Sequence, residues 1–265
     1  MTAGTEEKVN DKETVRKQYS TADKLSIRIS IHNRYSTNKQ GFGNWIFSHY
    51  QIREGMSVLE LGCGTGEMWA AKDGIIRQCS RFILSDFSEG MLDKAKETLR
   101  GCAGIEYRTI DIQEIPFEEG SFDIVIANMM IYHVPDLFLA LREVRRVLKE
   151  GGLFYCATYG ENGMMEYICS LFGENRIQNQ GNRNFTLQNG EEKLKPFFSN
   201  IRRFLYEDTL EVTHVEDMVD YIYSLAGMTD LRKLPGDEVR SVLEKNMRHG
   251  VLTVPKEYGM FAAGK

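Results

Sequence analysis

The chain has 265 residues, a formal net charge of −5, and 42% hydrophobic and 27% charged residues. This composition is that of an ordinary globular protein, and the length suits one large domain or a core with a cap. A mildly acidic chain with only short basic runs does not attract a polyanion, which argues against a nucleic-acid partner. With five prolines and no linker-like stretch, we expect a single domain over residues 1–265.

The five cysteines are widely spaced and include no CxxC pair, so neither a disulfide framework nor a zinc site is indicated. No group of His, Cys and acidic residues has metal-ligand spacing, and we predict a metal-independent protein. The first residues lack the apolar centre of a signal peptide, and no apolar run approaches the roughly 20 residues that span a bilayer. We therefore expect a cytoplasmic location without membrane insertion.

The N-terminal segment, residues 1–55, is predicted to form a helical cap. Residues 1–17 are charged and are expected to be frayed or loosely helical. Residues 18–55 carry many aromatic and polar side chains, a composition that favours helices docked on another surface over disorder.

From Met56 onward, short apolar segments alternate with helical patterns. Such alternation predicts a parallel sheet that is covered by helices on both faces, with its core in residues 56–158. The predicted strands are 57–61, 81–86, 105–110, 122–128 and 153–158, and the predicted helices are 67–79, 88–100 and 136–149.

The rhythm breaks at residues 159–200, which are polar and rich in Asn and Gly and are interpreted as an insertion after the fifth strand. Residues 201–265 should complete the sheet, with strands at 204–206 and 258–263 and a helix at 215–225. Apolar side chains of the insertion could line a substrate pocket or could equally form ordinary core. These residues are Met164, Met165, Tyr167, Phe172 and Phe185.

The strongest local signal is VLELGCGTGE at residues 58–67, where a buried strand meets a glycine-rich loop and then a helix. Gly62, Gly64 and Gly66 would tolerate positive φ and allow a ligand to lie against bare backbone. The helix N-terminus that follows offers free N–H groups. A glycine loop alone is weak evidence, and its strand–loop–helix context makes the signal specific.

Acidic residues distinguish between two classes of cofactor. Asp86 ends the second predicted strand, 20 residues after Gly66, where an acid in a doubly wound fold accepts hydrogen bonds from ribose hydroxyls. Glu60 precedes the glycine loop, and a carboxylate there disfavours a pyrophosphate but suits a cation. The pattern therefore favours S-adenosylmethionine (SAM), with its sulfonium and ammonium groups, over NAD.

Four motifs in order across residues 56–158 resemble the class I SAM-dependent methyltransferases. They are VLELGCGTGE, ILSDFSEGMLDKAK, TIDIQEIPFEEGSFDIVIAN and ANMMIYHV. The resemblance is to the ubiquinone/menaquinone-biosynthesis-like, methyltransferase type 11 subgroup, many of whose members act on small molecules. It implies an α/β fold: a Rossmann-like, doubly wound, mostly parallel sheet of seven strands, with residues 258–263 as an antiparallel strand at one edge.

The resemblance also implies site residues. Asp86 would bind the ribose, Phe87 and Met91 would flank the adenine, and Asp111 would lie near its amino group with Ile112 beside it. Asn128 would lie near the methionine moiety. The implied cofactor-binding residues are Glu60, Gly62, Cys63, Gly64, Gly66, Asp86, Phe87, Met91, Asp111, Ile112 and Asn128.

Two further sets of residues are candidates for the acceptor side of the site. His133 matches a frequent histidine of the subgroup and could act as a general base, or it could only orient its loop. In related enzymes the segment before the first strand caps the cofactor pocket, which makes Tyr35, Asn38 and Trp45 candidates for contact with cofactor or substrate. Plain packing of a helical lid is the alternative for these three residues.

The sequence thus predicts a methyltransferase that uses SAM, yields S-adenosylhomocysteine (SAH) and acts on a small-molecule acceptor as a monomer or homodimer. The acceptor atom stays open among oxygen, nitrogen, sulfur and carbon. Two alternatives are a non-catalytic SAM- or SAH-binding module and an NAD-dependent oxidoreductase of similar fold. The second of these should show GxGxxG and a catalytic Tyr/Lys pair, which the sequence lacks.

Overall fold

The computed structural model describes residues 22–173, 177, 182–225 and 230–265. Their contacts group into two compact units. Unit 1 consists of the described residues within 1–41, 160–183 and 206–258. Unit 2 consists of residues 42–159, 184–205 and 259–265. The sequence had favoured one compact unit, and the predicted cap and insertion are each divided between the two units. The single-domain assignment stays a prediction.

Five parallel strands form the centre of unit 2: β1 (Ser57–Leu61), β2 (Arg81–Asp86), β3 (Ile105–Thr109), β4 (Phe122–Ile126) and β5 (Leu148–Tyr159). β1 lies between β2 and β4, β3 pairs with β2, and β5 pairs with β4, each in parallel. The predicted alternation of strands and helices is confirmed. Because these strands are parallel, the carboxyl ends of β1, β2 and β4 lie at the same end of the sheet. The strand order reverses at β1, and ligands bind beside such a reversal in sheets of this kind.

Two long strands, β6 (Ser199–Val212) and β7 (Leu252–Gly264), complete a seven-stranded sheet of order β3-β2-β1-β4-β5-β7-β6. β7 is antiparallel to β5, since Lys265 N donates to Gly152 O and Gly160 N to Glu257 O. The seven-stranded, mostly parallel sheet is confirmed. The edge position expected for residues 258–263 is wrong, because β7 is inserted between β5 and β6 and the edge strand is β6.

The interior position of β7 has a physical basis in its side chains. Met260 and Ala262 pack on one face of the sheet, and Phe261 and Ala263 on the other, all of them buried. A strand that is apolar on both faces loses more exposed surface between two neighbours than at an edge.

In the described part of the chain, the helices α1 (Ala22–Tyr35) and α2 (Phe42–Ser48) precede the sheet. No helix of the described residues is long and apolar enough to cross a membrane. The further helices are α3 (Asp73–Gln78), α4 (Glu89–Thr98), α5 (Leu137–Val147), α6 (Met164–Ser170), α7 (Gly190–Leu194), α8 (Val215–Ser224) and α9 (Gly236–Asn246).

The β1 strand shows how the sheet of unit 2 separates two cores. Leu59 and Leu61 pack in the core that includes α5, whereas Val58 packs with α2 and with the short helical turn at Glu67–Trp69. Glu60 has the same parity as Val58 and is buried, although it is an acid. Burial of each large aliphatic side chain contributes about 1.5–3 kcal/mol, which holds the ends of these strands in register.

The helix predicted over 67–79 is broken. A 3₁₀ turn covers Glu67–Trp69, and α3 begins only at Asp73. Ala71, between them, has φ 63°, a left-handed conformation that ends a right-handed helix. The break allows Trp69 to point into the core, where it is fully buried.

Unit 1 has its own core, formed by α1, α6, α8, α9 and parts of β6 and β7. The helix predicted over 215–225 is present as α8, whereas α9 was not anticipated from the sequence. An ion pair between Lys256 and Asp208 lies within this unit, with both side chains buried.

Candidate functional site

The glycine loop follows β1, and all three of its glycines have positive φ, at 73° for Gly62, 57° for Gly64 and 72° for Gly66. A Cβ on Gly62 would lie 2.7 Å from Met130 Cγ, and one on Gly66 would lie 2.9 Å from Leu99 Cδ1. Gly64 differs, because a Cβ there would meet nothing within 4 Å. Two glycines therefore permit close packing, and the third leaves bare backbone facing open space.

Asp86, at the end of β2, is joined to this loop. Its Oδ2 accepts a hydrogen bond from Gly64 N at 2.9 Å, and its Oδ1 accepts one from Ser88 N at 2.8 Å. Burial raises the pKa of Asp86, and the backbone donors of Ser88, Gly64 and Phe87 oppose that rise. A carboxylate has about four acceptor positions, so two backbone bonds leave it able to accept from a ligand hydroxyl.

Ser88 precedes α4 as its N-cap, but its side chain makes no capping hydrogen bond. Its backbone N–H is instead taken up by Asp86.

Glu60 lies beneath the loop and is only 3% exposed. Its Oε2 accepts a hydrogen bond from Trp69 Nε1 at 2.5 Å. Burial raises the pKa of Glu60 to about 7, hydrogen bonds with Trp69 and Asn128 oppose the rise, and the charge of Asp86 adds to it. Among the described residues, no cationic side chain forms an ion pair with Glu60, so its charged form lacks compensation within the protein.

Asn128 follows β4 and completes a buried polar cluster with Glu60. Its Nδ2 donates to Tyr50 Oη at 2.6 Å and lies 3.7 Å from Met68 Sδ. Its Oδ1 is buried and has no hydrogen-bond partner among the described residues. A buried amide oxygen without a partner is costly, which marks it as an acceptor for a group that the protein itself does not supply.

Sequence reasoning missed Tyr50, Met68 and Trp69 as members of this cluster. The only signal was the sequence EMW directly after the glycine loop, and it was interpreted as the start of a helix. Burial raises the pKa of Tyr50 well above its usual value, with the charge of Glu60 adding to the effect. Its phenol is therefore neutral and suited to hydrogen bonding.

The segment after β4 contains a second feature that was not predicted. Met129 has φ 52°, which is rare for a residue other than glycine and is found preferentially at functional sites. Its N donates to Ala157 O at 2.9 Å, and the next side chain, Met130, packs against Gly62. The β4 segment and the glycine loop thus meet directly.

His133 ends the 3₁₀ turn that follows, with its ring centroid 4.5 Å from that of Tyr132. Tyr132 also packs on Tyr159 at 4.6 Å. His133 therefore lies on the loop that approaches the glycines, and its role as a base stays a prediction.

The residues predicted near an adenine lie after β2, on α4 and after β3, all of them in unit 2. Asp111 Oδ1 accepts from Gln113 N at 3.0 Å, and Ile112 is buried beside it. Met91 is buried on α4, and Phe87 is partly exposed after β2. The backbone N–H of Cys63, in the glycine loop, donates to Ser85 O at 2.8 Å, and burial raises the pKa of its thiol.

The three predicted lid residues fall in different units. Tyr35 and Asn38 belong to unit 1, where Tyr35 donates to Asp217 and Asn38 Nδ2 donates to Glu207 O at 3.0 Å. Trp45 belongs to unit 2 and packs on Phe42, at 5.8 Å between ring centroids. These contacts are those of packed helices and turns, and contact with a ligand stays a prediction for all three.

The predicted pocket-lining residues of the insertion are largely core. Met164 and Phe172 are buried in unit 1, and Phe185 is buried in unit 2 against Phe261. Met165 and Tyr167 are partly buried at the margin of the unit 1 core. Burial of this kind favours the structural alternative that the sequence left open.

Taken together, the edge of the sheet in unit 2 presents bare backbone at Gly64, two carboxyls at Glu60 and Asp86, and the buried acceptor Asn128 Oδ1. A surplus of acceptors suits a ligand that carries hydroxyl donors and positive charge. In the described part of the chain, no group of three or more His, Cys, Asp or Glu is arranged to hold a metal ion.

A family model described as "Methyltransferase domain" matches residues 59–156. The demethylmenaquinone methyltransferase of Staphylococcus aureus strain MRSA252 is 33% identical over 134 residues, which are 51% of this chain and 54% of the relative. The chain therefore spans about half the length of the curated relatives that it matches.

Two solved structures extend the likeness beyond the core. A putative methyltransferase from Bacillus halodurans C-125 has a TM-score of 0.59 at 18% identity, over 84% of this chain and 98% of that one. Phosphoethanolamine N-methyltransferase 2 of Haemonchus contortus, solved with phosphomonomethylethanolamine and SAH, has a TM-score of 0.58 at 19% identity, over 95% of this chain and 59% of that one. These structures show the shared fold. The family match runs from within β1 to within β5 and includes the glycine loop, so this part of the chain is similar to the methyltransferase domains of that family.

Proposed function

We propose that this protein binds SAM and transfers its methyl group to a small-molecule acceptor in the cytoplasm. The observation that carries the proposal is the buried Glu60, which lies under a glycine loop and forms no ion pair with a cation among the described residues. A cofactor with a sulfonium and an ammonium supplies the missing positive charge, whereas the pyrophosphate of NAD would be repelled. The matched family and the SAH bound in a structure of similar fold support the same cofactor.

The residues present fit SAM at three points. Gly64 leaves room for close approach to the backbone, Asp86 retains acceptor capacity for ribose hydroxyls, and Asn128 Oδ1 is a buried acceptor suited to an ammonium. Asp111, Ile112, Phe87 and Met91 would surround the adenine. When bound, SAM supplies a methyl group that is already activated by its sulfonium.

Because the methyl group is already activated, the protein has mainly to orient the acceptor and exclude water. An acceptor hydroxyl or thiol must also lose a proton, and we assign that step to the imidazole of His133, on the loop after β4. A carbon or amine acceptor that is already nucleophilic needs no such base, and His133 would then only orient the loop.

Calorimetric titration of the purified protein with SAM, SAH and NAD tests the cofactor assignment. We expect SAM and SAH to bind and NAD not to bind. Asp86→Ala should weaken SAM binding by about 10- to 100-fold, since hydrogen bonds to a charged group contribute about 1.5–3 kcal/mol. Asp93→Ala, on the exposed face of α4, is the matched control and should leave the affinity unchanged. Failure of both SAM and SAH to bind would refute the proposal.

Turnover distinguishes an enzyme from a non-catalytic SAM- or SAH-binding module. A screen of small acceptors for SAH formation should identify a substrate, and His133→Ala should then lower the rate by about 10²-fold or more while SAM affinity stays intact. An unchanged rate would remove the general-base role and leave His133 as a residue that orients the loop.

A further inference from the structure

We propose that Glu60 senses the charge of the cofactor: it is a neutral carboxyl in the free protein and releases its proton to solvent when SAM binds. The inference rests on the proposed function, because SAM is the cation that it requires. It concerns one ionisable side chain under the glycine loop and adds a proton-linked step to cofactor binding.

The first argument is the set of groups that face Glu60. Trp69, on the 3₁₀ turn, and Asn128, after β4, hydrogen-bond with it. Tyr50, from the segment before β1, bonds to the same Asn128 side chain. Among the described residues, the other ionisable groups that interact with Glu60 or Tyr50 are Asp86 at the end of β2, Cys63 in the loop, and Tyr155 and Cys156 on β5.

Every one of these groups is neutral or negative, and each of the thiols and phenols has its pKa raised by burial. The carboxylate form of Glu60 thus has two neutral hydrogen-bonding partners, Trp69 and Asn128, and a repelling neighbour in Asp86. An ion taken out of water without a counter-charge is strongly disfavoured, and such a group takes up a proton instead. The pKa of about 7 for Glu60 agrees with this argument.

The second argument is the unsatisfied acceptor beside it. Asn128 Oδ1 is buried without a partner among the described residues, so the Glu60 cluster is incomplete both in charge and in hydrogen bonding. A cation with N–H donors completes both at once. Its arrival favours the carboxylate, so a Glu60 side chain that is protonated in the free protein releases its proton when the cation binds.

Calorimetry of SAM binding in two buffers of different ionisation enthalpy measures the protons released. A group with a pKa near 7 is about 90% protonated at pH 6 and about 10% at pH 8. Wild-type protein should therefore release about 0.9 more protons per SAM than Glu60→Gln at pH 6, and about 0.1 more at pH 8. The comparison cancels the titration of the ligand's own amino group, which is common to both proteins.

Glu67→Gln is the matched control, because it removes an exposed glutamate directly after the glycine loop. It should release as many protons as the wild type. Trp69→Phe removes the donor to Glu60 and should move the release to higher pH, a readout that a merely structural role for Trp69 would not shift.

A second measurement, on the free protein, tests the protonation of Glu60 directly and does not require the variant to bind SAM. Infrared difference spectra of the free protein should show a protonated carboxyl at pH 6 that is lost by pH 8 and is absent from Glu60→Gln. Equal proton release by wild type and Glu60→Gln at pH 6, with SAM bound, would overturn this inference and leave the proposed function standing. An absence of SAM binding by the wild type would overturn the proposed function, and the infrared band would then still report whether Glu60 is neutral.

Discussion

Two buried carboxyls of this protein, one in each unit, lie in opposite electrostatic surroundings. Asp208, in unit 1, pairs with Lys256, and the two side chains are 0% and 2% exposed. Burial would raise the pKa of Asp208, but hydrogen bonds from Lys256, Ser36 and Asn38 N lower it overall. Glu60, in unit 2, hydrogen-bonds with the neutral side chains of Trp69 and Asn128, and burial raises its pKa to about 7.

The comparison shows that burial alone does not decide the charge of an acid. A partner of opposite charge inside the same unit makes the Asp208 cluster electrically complete, so its role is to hold the end of α1 to β6 and β7. Within the part of the chain that the structure describes, the Glu60 cluster has no such partner, and it is suited to receive one from outside. A complete cluster indicates structure, and an incomplete one indicates a binding site.

The largest expected effect comes from breaking the complete pair. Lys256→Met leaves Asp208 buried without its cation and should lower the free energy of unfolding by about 3–5 kcal/mol. Denaturant unfolding of the wild type and the variant measures the difference. The double variant Lys256→Met/Asp208→Leu should recover most of the loss, since it removes the uncompensated charge as well. A single variant as stable as the wild type would show that the pair contributes nothing.

A smaller effect is expected from the incomplete cluster, and it depends on pH. The pKa of Glu60 is about 7 in the folded protein and 4.5 for an ordinary glutamate, as in the unfolded chain. Between these two pH values the folded state keeps a proton on Glu60 that the unfolded chain loses. The stability contributed by this proton is present below about pH 4.5 and is lost as the pH rises through about 7. The loss is on the order of 3 kcal/mol, and Glu60→Gln should remove it. Unfolding curves of both proteins at pH 4.5 and pH 8 provide the test. Parallel pH dependence would contradict it.

The smallest effect concerns His32 in unit 1. Its contribution to stability is lost as the pH falls, whereas that of Glu60 is lost as the pH rises. Burial, followed by the charge of Lys256, lowers its pKa to about 3. The unfolded chain binds the proton more readily, so stability is lost as the pH falls from about 6.5 toward 3. His32→Phe should reduce that loss by on the order of 1 kcal/mol, because part of the residue reaches solvent and is screened. An unchanged midpoint of acid unfolding would refute this assignment.

Several features could be predicted from the sequence because they depend on local pattern. Short apolar runs predicted the strands β1–β4. The helix predicted over 136–149 is present as α5, and its apolar side chains Leu137, Ala140, Leu141, Val144 and Val147 are buried. Asp86 was assigned from its spacing after Gly66, and it does bond to the loop backbone at Gly64. The spacing carries this information because consecutive parallel strands bring their carboxyl ends to the same edge.

Other features depended on contacts between residues far apart in the chain. The partners of Asn128 are 78 and 60 residues away at Tyr50 and Met68, and no local pattern links them. The break before α3 follows from burial of Trp69 against Glu60, which overrides the helical preference of the segment.

By itself, the sequence determined the class of fold, the glycine loop and the two acids that favour a cationic cofactor, since strand periodicity and backbone freedom are properties of short segments. Only the tertiary structure decided that β7 lies inside the sheet and that the contacts group into two units. It also decided that Glu60 is buried beside neutral or acidic groups, whereas Asp208 pairs with a cation. The reason is physical: an ionisable group takes its charge from its neighbours in space, and those neighbours are chosen by packing.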